Sequence, residues 1–193
     1  TLHNGVEDGL LDASSGQFQK TVVYVGRCDE NKDVLALVKI MLTTGLFNEG
    51  YRLSLTGGGP EVGRILDFIR KEGLQEAVEV HPFARDVISA YQRGSIFALT
   101  SRSEGFGLCL IEAMALGLPC VAYDVPSGPR EIIRDGVNGH LVRLGDEVAF
   151  GAAIRNIEAD YECFAKEARR TASLFSAENT GRKWSEALTA GMV

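Results

Sequence analysis

The sequence predicts an α/β domain: a doubly wound, mostly parallel sheet of six strands, with helices on both faces and a helical C-terminus. Three observations predict it. Short apolar runs rich in β-branched residues alternate with longer runs of helical period. The short runs are apolar throughout rather than at every second residue, which marks strands covered on both faces, as in parallel sheets. Strand–helix alternation of this kind builds right-handed βαβ units. The 193 residues suit one domain, and 45% hydrophobic against 24% charged residues supplies both a core and a solvated surface.

Residues 1–20 read as a linker, because Asn4-Gly5 and Ser14-Ser15-Gly16 are turn formers and little periodicity surrounds them. The domain proper then covers residues 21–193. Its first strand is 21–26 (TVVYVG). A helix over 32–46 follows, apolar at Val34, Leu35, Leu37, Val38, Met41 and Leu42. The second strand is 51–56. The turn Gly57-Gly58-Gly59-Pro60 leads into a helix through about residue 72, with Pro60 at its first position. A third strand at 77–80, a short helix at 86–93 and a fourth strand at 95–100 come next. The helix over 107–116 stops at Gly117. The fifth strand is 119–123, a short helix covers 129–134, and the sixth strand is 139–144. From Glu147 the chain is mostly helical, with Phe175 and Trp184 packing the last helix. The product is a Rossmann-like sheet, whose ligands bind outside the carboxyl ends of the strands. Loops 27–31, 57–60, 81–85, 101–106 and 124–128 are therefore the candidate site.

The formal net charge of −6 argues against a protein that tracks nucleic-acid phosphates, though a few placed cations still suffice for one small anion. Cys28, Cys109, Cys120 and Cys163 form no C-x-x-C pair and no metal-ligand spacing with histidine, so no metal site is expected. All four lie in or beside apolar segments, which fits a reducing, cytoplasmic compartment. The longest apolar run, 108–123, is broken by Glu112, Gly117 and Pro119 and cannot span a membrane. His3, His81 and His140 show no triad pattern. The chain starts at Thr1 rather than Met, so an upstream part is expected.

The stretch 103–117 (SEGFGLCLIEAMALG) is the most informative. Gly105 and Gly107 flank Phe106 directly after a strand, where absence of a Cβ allows backbone to approach a ligand. A helix then begins, and its free amides and dipole suit a phosphate. Glu104 and Glu112 are either hydroxyl-binding carboxylates or a helix-start acid and an exposed helix residue; the spacing alone supports both. Arg27 and Lys32 are either a diphosphate clamp or two solvated loop cations. Gly57, Gly59 and Gly63, with Glu79 further on, match a dinucleotide fingerprint weakly, and a strand-to-helix turn reads better. At 126–133 (PSGPREII), Ser127 or Gly128 caps the next helix as ordinary turn chemistry.

On these residues the chain resembles glycosyltransferase family four, a group of retaining enzymes of the GT-B architecture. The resemblance runs from about Asn4 to the C-terminus. It rests on Glu104 and Glu112 in an E-x7-E element with Gly105-Phe106-Gly107 inside it and Ala113-Met114-Ala115 after it. The order of Val25-Gly26-Arg27 with Lys32, Gly57-x-Gly59-Pro60, Ser127-Gly128-Pro129-x-Glu131-Ile132-Ile133 and Asp135-Gly136-x-Asn138-Gly139 agrees with it. The resemblance implies half of a GT-B fold. It gives Arg27 and Lys32 the donor diphosphate, Glu104 the donor sugar hydroxyls, the amides of Gly105, Phe106, Gly107 and Leu108 the sugar and phosphate, and Glu112 the ribose. Gly57, His81 and Phe83 complete the donor-binding set, with the 81–85 loop near the base.

The implied reaction moves a sugar from a nucleotide diphosphate sugar, a UDP-sugar by preference, to a hydroxyl acceptor without metal or cofactor. Cell-surface polysaccharide or glycolipid synthesis is the implied setting. A missing N-terminal Rossmann-like domain would bind the acceptor and carry any peripheral contact with the cytoplasmic membrane face, so this chain alone would bind donor without transferring sugar. A non-catalytic nucleotide-sugar-binding module is the alternative, as is another nucleotide-binding Rossmann protein such as an epimerase or oxidoreductase. Two positions depart from the family pattern: Asp33 stands where Gly usually follows the lysine, and His81-Pro82-Phe83-Ala84-Arg85 lacks the usual Gly.

Overall fold

A computed structural model describes residues 17–83, 86–176 and 179. Most of the expected linker, Ala84 and Arg85 of the 81–85 loop, and Trp184 lie outside the described residues. The strands are β1 (Thr21–Val25), β2 (Arg52–Thr56), β3 (Val78–His81), β4 (Ile96–Leu99), β5 (Cys120–Asp124) and β6 (Gly139–Arg143). The helices are α1 (Val34–Thr43), α2 (Val62–Lys71), α3 (Val87–Tyr91), α4 (Leu108–Ala115), α5 (Pro129–Ile132), α6 (Glu147–Ala159) and α7 (Tyr161–Ser173). They form one six-stranded sheet in the order β3-β2-β1-β4-β5-β6. Every strand pair is parallel, because a helix-bearing crossover separates each strand from the next. Helices α1, α2 and α6 pack together, as do α4 and α7, so both faces are covered. The apolar reading of the central strands follows from this: Val22, Val23, Phe97, Ala98, Val121 and Ala122 are fully buried.

Among the boundaries that differ from the sequence reading, two have a clear cause. The helix expected over 32–46 stops at Thr43, because Gly45 takes φ 79° and a 3-10 turn, Leu46–Glu49, turns the chain back toward β2. Pro60 is not the first residue of α2. The Glu61 amide donates to the Cys28 carbonyl at 3.1 Å, which ties this turn to the neighbouring loop and delays the helix to Val62.

Candidate functional site

The strand order reverses between β1 and β4. Such a switch point leaves a crevice at the carboxyl ends. Here it is a cavity of about 380 Å³ lined by the end of β1 (Tyr24, Val25, Gly26), the end of β4 (Leu99), Lys32, Glu104 and residues Phe106–Cys109. Apolar Val25, Leu99, Phe106 and Leu108 share its lining with the charged Lys32 and Glu104. Burial pushes the Tyr24 phenol above its ordinary range, and its hydroxyl donates to the Arg27 carbonyl at 2.6 Å.

Lys32 Nζ lies 2.6 Å from Glu104 Oε1. The Glu104 side chain is 7% exposed and that of Lys32 24%, so the pair is shielded where it meets the cavity. The two come from loops that are laced together. The Asn31 side-chain amide donates to the Ser103 carbonyl at 2.9 Å, and Ser103 Oγ donates back to Asn31 Oδ1 at 2.7 Å. The Arg102 amide donates to the Asn31 carbonyl at 2.8 Å. Thr100 Oγ1 is shared between the carbonyls of Lys32 (3.2 Å) and Asp33 (3.0 Å). The loop after β5 is tied to the glutamate loop: Ser127 Oγ donates to the Glu104 carbonyl at 2.5 Å.

Helix α4 opens on the cavity. Gly107 is its N-cap residue at φ 84°, a conformation open to glycine at little cost, and Leu108 and Cys109 in its first turn line the cavity. First-turn amides have no intrahelical acceptor, so this end of α4 presents donors and positive potential. Burial, with the Glu104 carboxylate nearby, pushes the Cys109 thiol up to about 12. One turn further, Glu112 is half-buried and accepts from the Tyr91 hydroxyl at 2.7 Å.

The cavity wall thus brings together Lys32, Glu104, Phe106, Gly107 and Leu108 of the expected set. Arg27 does not join Lys32 there. Its side chain is 71% exposed and its Nε faces Asp29 Oδ2 at 3.3 Å. Glu112 is not among the residues that line the cavity and is held by Tyr91 from α3. Gly105 is exposed on the loop. Gly57 packs on Gly26 rather than on the cavity; a Cβ there would stand 1.8 Å from the Gly26 carbonyl oxygen. His81 Nε2 meets Glu79 at 3.1 Å, and Phe83 is 72% exposed beyond β3. Glu79 therefore has a partner of its own within β3. Ser127 does not cap α5: Gly128 holds that position, while the serine reaches to the glutamate loop. Sequence reasoning placed Asn31, Arg102 and Ser103 in candidate loops without giving them a role, and missed Tyr24, Cys109, Tyr91 and Thr100. Their partners are mostly distant in sequence, Asn31 and Ser103 by 72 positions, and no local pattern signals them.

The family described as glycosyl transferases group 1 matches residues 19–160. An exopolysaccharide phosphotransferase of Streptomyces coelicolor is 32% identical over 192 residues, covering 97% of this chain and 20% of that protein. An amylovoran biosynthesis glycosyltransferase of Erwinia amylovora is 30% identical over 173 residues, covering 88% of this chain and 48% of that protein. The chain thus spans less than half the length of these relatives. Among solved structures, the pneumococcal O-GlcNAc transferase GtfA in complex with UDP and GlcNAc superposes with TM-score 0.82 at 24% identity, over 92% of this chain and 37% of that one. With a cavity at the β1–β4 switch point and a family match over most of its length, the chain belongs to the glycosyl transferases group 1.

Proposed function

We propose that this chain is the donor-binding half of a retaining glycosyltransferase that moves a sugar from a nucleotide diphosphate sugar, UDP-linked by preference, to a hydroxyl acceptor in cell-surface polysaccharide or glycolipid synthesis. The observation that carries the reading is the Lys32–Glu104 pair on the cavity wall, facing the start of α4. As the bond from sugar to diphosphate breaks, negative charge collects on the diphosphate. Lys32 and the first-turn amides of α4 supply a fixed positive field for that charge, without metal or cofactor. Glu104, paired but retaining a second oxygen, accepts from sugar hydroxyls. Glu112, oriented by Tyr91, accepts from the ribose. Arg27 reaches the diphosphate by a rotation away from Asp29. Complexes such as that of GtfA with UDP and GlcNAc favour UDP as the donor nucleotide.

A second Rossmann-like domain completes the enzyme in this reading and binds the acceptor. The greater length of the relatives supports it, as do exposed apolar side chains on the carboxyl rim: Phe83 after β3, Leu108 after β4, Leu144 and Val148 after β6. The enzyme then works in the cytoplasm, with any contact to the membrane face made through that other domain.

Calorimetric titration of this chain with UDP, GDP, ADP and NAD tests the proposal. UDP is expected to bind best, and Glu112→Ala to weaken it by about 1–3 kcal/mol through loss of the ribose hydrogen bonds. Preference for NAD, or equal UDP affinity in variant and parent, would overturn the reading.

A further inference from the structure

We propose that Arg102 and Asp33 are a positioning pair that holds Lys32 in the donor cavity; the role of that cavity rests on the reading above. Asp33 follows Lys32 directly and is the one non-glycine with positive φ among the described residues (φ 44°, ψ 46°). In this conformation a Cβ crowds the following carbonyl, and aspartate is among the few residues that visit it. Asp33 is the N-cap residue of α1, yet its side chain caps nothing. Its Oδ2 instead accepts from Arg102 Nε at 3.1 Å and from Arg102 Nη2 at 2.7 Å. Arg102 stands two residues before Glu104, so the pair ties the lysine loop to the glutamate loop beside their own contact.

Among the described residues, Lys32 is otherwise bonded through its backbone: its amide donates to Asp29 Oδ1 at 3.0 Å, and its carbonyl accepts from Thr100. The Asp33 dihedrals therefore set how the chain leaves Lys32 and enters α1. Without Arg102, an unpaired carboxylate sits on a strained backbone that relaxes to another basin and takes Lys32 from Glu104. With glycine at 33 the strain is absent, and Arg102 is no longer needed.

Two readouts on this chain test the pair. The first needs no ligand: the Lys32 ammonium, sheltered against Glu104, should give a slowly exchanging ¹⁵Nζ cross-peak, assigned by its loss in Lys32→Gln. It should vanish in Arg102→Ala and return in the Asp33→Gly, Arg102→Ala double variant. The second is UDP affinity, expected to fall about fivefold in Arg102→Ala, the scale of coupling between contacting residues, and to recover in the double variant. The Arg102 side chain is 63% exposed, so melting temperatures taken alongside should stay close to the parent's. A cross-peak that persists in Arg102→Ala, or a double variant no better than Arg102→Ala, overturns the positioning role. A parent that shows the cross-peak pattern but binds none of UDP, GDP and ADP keeps the positioning role and removes the donor reading instead.

Discussion

Cys109 and Cys163 differ in surroundings more than in chemistry. Cys109 lies in the cavity wall with its thiol pushed up to about 12 by burial, while Cys163 is exposed on α7. Alkylation needs the thiolate, which at neutral pH is on the order of one part in 10⁵ for a thiol so shifted. Iodoacetamide followed by peptide mass mapping should modify Cys163 first and leave Cys28, Cys109 and Cys120 until the chain unfolds. Early labelling of Cys109 would mean the cavity wall opens. At this scale the sequence is legible in chemistry and silent on partners. It shows that Glu112, on an apolar helix, needs a partner, but not that Tyr91, 21 residues earlier, provides it. Asp33 is visible as a departure from glycine, yet Arg102 lies 69 positions away, and its loop reveals the pairing only once β1 and β4 are neighbours.

At the scale of elements, the turn after β2 shows how one motif serves packing. A Cβ on Gly57 would stand 1.8 Å from the Gly26 carbonyl oxygen, and one on Gly59 would stand 2.2 Å from that of Cys28, whereas nothing lies within 4 Å of one on Gly58. The first and third glycines let the turn lie against the β1 loop, where the Cys28 amide donates to the Gly58 carbonyl at 2.8 Å. Gly57→Ala should therefore destabilise the domain by about 2–3 kcal/mol, and Gly58→Ala should be nearly neutral. Urea unfolding of both variants checks this, and an unmoved midpoint for Gly57→Ala would refute it. The glycine run signals a close approach but cannot name the surface approached. Strands and helices were readable because burial on two faces leaves unbroken apolar runs, and one-sided packing leaves a 3.6-residue period. Helix boundaries were not, since the end of α1 and the start of α2 are set by Gly45 and by a bond to Cys28, not by the apolar pattern.

For the molecule as a whole, ion pairs fasten the end of the sheet opposite the cavity. Arg155 on α6 holds Glu49 with Nη2 2.6 Å from Oε1, and donates to the Thr44 carbonyl at 2.6 Å. Lys20 meets Glu158 at 2.9 Å, and Glu158 also accepts from the Tyr51 hydroxyl. The Arg155 hydrogen bonds hold the Glu49 carboxyl below its ordinary 4.5. Burial alone would raise Glu158, but the hydrogen bonds from Tyr51 and Lys20 outweigh it and lower that carboxyl too. Both groups are depressed on folding, so their contribution is present above their unfolded values and lost as pH falls through the folded ones. Melting temperature should drop as pH is lowered from about 6 to about 3, and the drop should be shallower in Glu158→Gln. An equally steep fall in that variant would show that other carboxyls govern acid stability.

The sheet order has one more effect. β1 pairs with β2 along five residues but with β4 along only two, Val22 with Ile96 and Val23 with Phe97. That short seam joins segments far apart in the chain, so its closure is a non-local event with a large entropic cost. A nascent chain that has folded only β1 to β3 owns half a wall and nothing to hold a ligand. Whatever fills the crevice then acts as a clasp across the weakest line of pairing, and by mass action it favours the closed sheet over forms parted there.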